Sequence, residues 1–398
     1  MDSSFYKTKT KSSTNIVLLL LMLFIVVFPK GGIKYKSIPI TWGYTLLALV
    51  SFTLLLRKRY SIRKEHLYVL LALLPFQIYS ACSLFINGIE NIGFAFSFFV
   101  SFFCLPFIFF FIFSEYIENL DTAYFFIILK RSIFFIACYG IFLFFYRVIV
   151  GTLLEIPLLT TNYHEKGIIE TTKFIHNRGL FLKLISTYNN GNIFGLCLLM
   201  ILPLYNYIEK NIFKKNIVKL SLIFTLSRTV WIGLIISEFF FSFFIIKNKH
   251  KSLVRFFMTA LAVIAIIVFF SRYIQRPISW YFDKDMGGRV KEYYFIIKFL
   301  SHIPFAHIAE MIYFSVLYIF GFLGFILFII SMFSPIAFFT LKNIKSNISD
   351  IDKCIILGLA TYLIVSFSDG ALLYLPVMAF YWFLSSFLLS KKELTLEF

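Results

Sequence analysis

The chain has 398 residues, of which 60% are hydrophobic, 21% aromatic and 15% charged, with 55 Phe and a net charge of +18; its mean hydropathy is +0.86. These values exclude a soluble globular domain and a disordered chain, and they point to a polytopic membrane protein. The basic residues are scattered between apolar stretches and form no continuous patch. The bilayer, with its anionic lipid, is therefore the expected partner of that charge, and nucleic acid is not.

Twelve apolar stretches are predicted as spans, at about 14–29, 38–56, 66–86, 93–114, 132–150, 191–208, 212–227, 229–246, 253–271, 312–341, 354–368 and 371–390. Each is expected to be α-helical. Backbone N–H and C=O groups cannot stay unpaired in hydrocarbon, and the runs lack the alternation of barrel strands. The predicted fold class is an all-α polytopic membrane protein, a single integral membrane domain over 1–398 with two long polar loops, 151–190 and 272–311. The first run follows Lys7, Lys9 and Lys11 as a signal sequence would, but it exits through Phe28, Pro29 and Lys30 without a small-residue cleavage pattern, so an uncleaved anchor is expected.

Lys and Arg set the orientation. With a cytoplasmic N-terminus, 23 of them, including Lys130 and Arg131, fall on inside segments and 14 outside, ten of these in the two long loops that count least. Both termini are expected in the cytoplasm, and both long loops on the outer side. The same bias divides the stretch 212–246 into two helices turning at Ser227-Arg228. A single helix would export the cluster from Lys247 to Arg255 and bury Arg228 at a cost of about 2.5–3.5 kcal/mol. The five cysteines, Cys82, Cys104, Cys138, Cys197 and Cys354, lie in apolar spans and read as small hydrophobes, with no disulfide framework or zinc spacing.

Charge that topology does not explain collects in the two outer loops. The first carries Arg178 and Lys183 and leads into Tyr188-Asn189-Asn190-Gly191-Asn192; the second carries Arg289, His302, His307 and Glu310. The segment Val290 to Ile303 has roughly helical spacing of apolar and charged positions and reads as a surface helix. Tyr163, Tyr188, Trp280, Tyr281, Tyr293 and Tyr294 read either as an interfacial aromatic belt or as platforms for sugar rings. Asp283-Lys284-Asp285 has the DxD spacing of cation-binding glycosyltransferases, a pattern common in any polar loop, and no metal or other cofactor is expected.

Arg178-Gly179 followed by Tyr-Asn-Asn-Gly-Asn-Ile-Phe-Gly, then Thr225-Leu226-Ser227-Arg228-Thr229-Val230-Trp231, Gly287-Gly288-Arg289 and Gly321-Phe322-Leu323-Gly324, resembles the O-antigen polymerase (Wzy) and O-antigen ligase superfamily. The elements occur in that family's order over about residues 170–330. The resemblance implies a glycosyltransferase of the GT-C type in the bacterial inner membrane. It would act on undecaprenyl-pyrophosphate-linked oligosaccharide at the periplasmic face, with a polysaccharide chain-length regulator as a further partner. It also implies pyrophosphate binding by Arg178 and Arg289, with Arg228 as a third candidate, since the guanidinium fork pairs with phosphate and stays charged. The alternative for each is an interfacial, snorkelling arginine.

The resemblance implies a general base as well. Ligases of this family carry a His eleven residues before the first Gly of Gly-x-x-Gly, and here that position is Glu310. That departure favours polymerase over ligase and leaves Glu310, His307 or His302 as the base. Glu310 reads alternatively as an acid at a helix start. Asn189 and Asn192 are candidates for sugar binding, or for helix caps. A further departure is that Gly191 lies thirteen residues after Arg178, not at the Arg-x10-Gly spacing of some polymerases. Outside the enzyme class, a flippase for lipid-linked sugars is the alternative; such carriers tend to have charged or Gly/Pro-broken helices at the midplane.

Overall fold

The spacing of apolar residues produces helices almost throughout. The computed structural model describes residues 22–35, 38–56, 62–151, 154–160, 177–178, 181–188, 190–246, 249–274, 298–344 and 348–390. After a π-helical turn, Met22–Val27, a hairpin of β1 (Gly32–Tyr35) and β2 (Ile38–Thr41) leads into α1 (Trp42–Leu55). Then come α2 (Lys64–Asn87), α3 (Ile92–Ile112) and α4 (Thr122–Val150). A two-residue antiparallel pair, β3 (Asn177–Arg178) and β4 (Phe181–Leu182), precedes α5 (Gly191–Ile208), α6 (Ile212–Ile223), α7 (Arg228–Phe244) and α8 (Lys249–Ile274). The chain closes with α9 (Ile312–Lys342), α10 (Asp350–Val365) and α11 (Leu375–Ser390).

Among the described residues, α2, α3, α4, α5 and α9 are long and apolar enough to cross a membrane, and shorter apolar helices accompany them. The burial pattern matches a bilayer solvent. α5 and α11 are buried on nearly every side, as expected of helices apolar all round. α2, α4 and α8 carry rows of exposed Leu, Phe and Met on their outward faces, among them Leu71, Phe85, Phe135, Phe142, Met258 and Leu261. Such a surface would aggregate in water and suits lipid. α5 packs against α10 so closely that a Cβ on Gly358 would lie 1.8 Å from the Met200 carbonyl oxygen, so only glycine fits there.

The predicted division of 212–246 is present. α6 ends at Ile223, α7 begins at Arg228, and the Trp231 indole N–H donates to the Ile223 carbonyl (2.8 Å), closing the turn. The span predicted at 132–150 is longer than expected. Asp121 caps Tyr124 N–H at 3.2 Å and starts α4 ten residues earlier, with Lys130 and Arg131 inside the helix. Its 29 residues extend roughly 43 Å against a hydrocarbon core of about 30 Å, so its first turns can stand outside the core. The described end of the predicted surface helix, residues 298–303, is irregular; residues 290–297 and Asp283-Lys284-Asp285 lie outside the described residues.

Among the described residues two helices are interrupted, and in both the released backbone groups find partners. In α3, Pro106 has no N–H to return to the preceding turn, and the helix widens into π geometry on either side. Side chains donate to the carbonyls four and five residues before the proline, the positions its missing N–H would have served: Gln77 to Phe102 O at 2.7 Å and the Trp382 indole to Ser101 O at 2.8 Å. In α9, Gly321 leaves the helical region (φ 70°, ψ −177°). The segment entering α9 supplies the missing acceptors: Phe322 N–H donates to Lys298 O (2.8 Å) and Leu323 N–H to Phe299 O (3.2 Å). Ser301 Oγ donates to Tyr318 O (2.9 Å) and Tyr79 OH to Phe320 O (2.7 Å). A Cβ at position 321 would lie 2.7 Å from Phe299 O and would occupy a backbone region essentially reserved for glycine. Gly321→Ala is expected to destabilise the protein by about 3 kcal/mol, measured as a lowered unfolding midpoint in detergent; an unchanged midpoint would show that the break is not built on glycine.

Candidate functional site

The break in α9 anchors the strand of chain that carries Glu310 and His307. Lys298 and Phe299 are hydrogen-bonded to its second half and Ser301 to its first, Asn87 Nδ2 donates to Ser301 O at 3.0 Å, and Phe305 exchanges backbone hydrogen bonds of 3.0 Å with Gly88 and Glu90. Beyond Phe305 the chain is held again, where Gly370 N–H donates to Glu310 O (3.2 Å) and Ala309 N–H to Ser315 Oγ (3.1 Å). The residues between these ties form one wall of a cavity of about 330 Å³, together with the start of α5 and the turn between α10 and α11. Its polar lining is Asn190, Asn192, His307, Glu310, Asp369 and Tyr374, with Phe94 packed beside the His307 ring at 5.9 Å.

The α5 wall is organised by the buried segment Lys183–Tyr188. Leu184 N–H donates to Phe224 O (3.0 Å), Ser186 Oγ to Ile136 O (2.7 Å) and the Tyr188 hydroxyl to Val26 O (2.8 Å). This segment delivers Asn190 to the helix entry, where its side chain accepts the N–H of Asn192 at 3.0 Å. Asn190 is therefore the cap, and Asn192 is released for another task. Lys183 Nζ donates to Asn192 Oδ1 at 3.0 Å, and Asn192 Nδ2 donates to the Asp369 carboxylate. All three residues are buried.

An ammonium group can only donate and a carboxylate can only accept, so a single amide orientation joins them. The amide acts as a dipole between two buried opposite charges, each of which would be expensive without a partner. The Asp369 wall is tied in turn to the start of α7, since Thr229 Oγ1 and the Ser368 hydroxyl share a 2.8 Å hydrogen bond.

The structure thus brings Asn192, His307 and Glu310 to one cavity. His302 is exposed and does not line it. Arg228 is half-buried at the first position of α7, one residue from the tie to Ser368. Arg178 sits in β3 opposite Phe181, five residues before Lys183. Arg289 and Asn189 lie outside the described residues, as do Tyr163, Trp280, Tyr281, Tyr293 and Tyr294.

Tyr188 belongs neither to an aromatic belt nor to a sugar platform. It is a core residue, and burial pushes its phenol well above the usual range. Lys183 and Asp369 were not distinguishable as a pair in the sequence. The available signal was that each is a charge placed within a few residues of an apolar helix with no neighbouring counter-charge. The N-cap position of α9 is Met311, whose side chain makes no capping bond.

Chemically, the cavity is lined by two carboxylates, Glu310 and the buried Asp369, and by the His307 imidazole, a set suited to moving a proton to or from a hydroxyl. Among the described residues no three His, Cys, Asp or Glu side chains cluster to hold a metal ion. No family model matches the chain, nor does any curated protein or solved structure.

Asn192→Leu removes the amide that links Lys183 and Asp369 and puts an apolar side chain against both buried charges, and is expected to cost about 3 kcal/mol. Asn190→Ala, the loss of a cap, is expected to cost only about 1 kcal/mol. Unfolding in detergent ranks the two, and an equal, small effect would show that the buried chain is not a structural tie.

Proposed function

We propose that the chain is an inner-membrane polysaccharide polymerase with twelve spans and both termini in the cytoplasm. It joins undecaprenyl-pyrophosphate-linked repeat units at the outer face by GT-C-type glycosyl transfer. The observation that carries this reading is that Asn192 lines one cavity at one end of a helical bundle with His307 and Glu310, which are neighbours in sequence but far from it along the chain. The positive-inside distribution assigns that end to the outer face.

In the proposed reaction the anomeric carbon of the growing glycan leaves its diphosphate oxygen and bonds to a hydroxyl oxygen of the next repeat unit. The hydroxyl proton passes to Glu310, with His307 as the neighbouring alternative. Arg178 and Arg289, with Arg228 at the start of α7, hold the charge that develops on the departing diphosphate. Asn192 already spends its carbonyl on Lys183 and one N–H on Asp369. It keeps one N–H and one lone pair for a sugar hydroxyl, and its larger role is to fix Asp369 in the cavity that Glu310 also lines. Glutamate at the position where ligases carry histidine supports polymerase over O-antigen ligase.

One feature favours a second reading, a flippase: the break at Gly321 is of the kind carriers use at their binding sites. A deletion strain resolved by glycan gel separates the three. Loss of a polymerase leaves a single repeat unit on the lipid A core, loss of a ligase leaves none, and loss of a flippase stops export. Glu310→Gln and Arg289→Ala are each expected to give the single-repeat pattern at normal protein level, the former with a loss of about 10²- to 10⁴-fold in polymerisation rate. His302→Ala is expected to keep the normal ladder. A normal ladder from Glu310→Gln removes it as the base.

A further inference from the structure

The apolar side chains that line the cavity divide sharply by exposure. Ile193, Ile308, Met311 and Leu372 are buried and serve the packing of its walls, whereas Phe94 is 40% exposed and Tyr374 42%. Either ring alone would be an ordinary exposed aromatic. Together they stand out because both line the cavity that holds Asn192, His307, Glu310 and Asp369.

Both rings are mounted on constrained backbone. Phe94 lies in the first turn of α3, where Asn91 Oδ1 accepts its N–H at 3.2 Å, and its ring sits beside the His307 imidazole. Tyr374 closes the turn between α10 and α11. Its N–H donates to Ala371 O (3.0 Å), and its carbonyl accepts the N–H groups of Val377 (3.1 Å) and Met378 (3.2 Å). The same turn is held from within the bundle by the Tyr362 hydroxyl, which donates to Gly370 O at 2.8 Å. Neither ring is distinctive in a chain with 55 Phe and 23 Tyr; their place in the cavity lining marks them.

A pyranose matches this combination of groups. Its faces are C–H surfaces that lie against the negative face of an aromatic ring, and its rim of hydroxyls suits the amide and carboxylates of the lining. A polyprenyl chain would need a continuous apolar groove, which Asn190, Asn192, His307, Glu310 and Asp369 interrupt. The volume, about 330 Å³, is at the small end for ligand pockets and suits a single terminal sugar better than a whole repeat unit.

We propose that Phe94 and Tyr374 are the stacking surfaces for the acceptor sugar, the one whose hydroxyl attacks, and that they select a pyranose with a C–H face free of axial hydroxyls. An axial hydroxyl on that face would hold the sugar away from the rings. The assignment to the acceptor rests on the polymerase reading; the stacking of a sugar at this place does not.

The probe is the oligosaccharide of one repeat unit, released by partial acid hydrolysis from the producing cell's own surface polysaccharide. It is added to the full-length protein in nanodiscs. Saturation-transfer difference NMR, with the protein's aromatic protons irradiated, then reads which sugar protons lie against rings. Transfer is expected to concentrate on one face of the sugar that receives the linkage between repeats. Tyr374→Leu and Phe94→Leu are each expected to weaken binding about tenfold, while Tyr374→Phe and Phe94→Tyr keep it within about twofold. Thermal midpoints check that each variant is folded, and Tyr374→Leu decides alone if the change beside His307 disturbs folding.

Absence of transfer, or transfer spread evenly over the oligosaccharide, overturns the proposal. Undiminished binding in the leucine variants also overturns it and returns both rings to an interfacial belt; the polymerase reading then still stands if Glu310→Gln gives the single-repeat pattern. Conversely, loss of binding in the leucine variants alongside a flippase or ligase pattern in the deletion strain removes the polymerase reading and leaves the stacking platform in place.

Discussion

An amide N–H or carbonyl cannot be left unpaired in hydrocarbon, and the two helix interruptions among the described residues are shaped by that constraint. Where Pro106 removes a donor, Gln77 and Trp382 reach across from α2 and α11. Where Gly321 turns α9 out of helical geometry, the entering strand 298–301 takes over the hydrogen bonding. The second case has a functional consequence. The strand recruited to satisfy the break is the one that runs on to His307 and Glu310, so backbone pairing at Gly321 holds the wall of the cavity. A Gly-x-x-Gly pattern in an apolar helix here marks a position where an extended strand docks onto the helix backbone.

The second organising feature is α5, buried almost completely and carrying an asparagine near each end. Asn192 and Asn206 each donate an amide N–H to a buried carboxylate, Asp369 and Glu238 respectively, and each lies in a network that contains a lysine. In the first network the amide separates the charges; in the second Lys219 and Glu238 meet directly and the amide supports them from the side. Asparagine suits both places because it offers a donor and an acceptor without adding charge to a low-dielectric interior. In both networks the carboxylate lines a cavity, Asp369 in the first and Glu238 in the second.

Much of the helical layout was legible from local composition. Runs at 191–208 and 312–341 match α5 and α9 almost to the residue, because polar loops bound them sharply. The turn at Ser227-Arg228 was legible from the cost of burying one arginine. Lys130 and Arg131 misled, since a charged pair reads as a loop although a long helix can carry it beyond the hydrocarbon edge. Tyr188 misled for a related reason: an aromatic next to a polar stretch reads as interfacial, and only the position of Val26 shows that its hydroxyl is bonded inside the core. Glu310 and His307, marked in the sequence only through the family resemblance, line the cavity, and their separation from His302 was not legible, because it depends on where Phe305 pairs with the loop after α2.

By itself the sequence determined the solvent and the helical class, because hydrophobic transfer and backbone pairing in lipid depend on composition and run length alone. It also determined which polar residues stood outside that explanation. Only the tertiary structure decided which of those residues meet. Lys183, Asn192 and Asp369 are joined across 186 positions of chain by the packing of α5 against the turn between α10 and α11. Contacts of that range are set by the closing of the whole bundle, and no local pattern of residues encodes them.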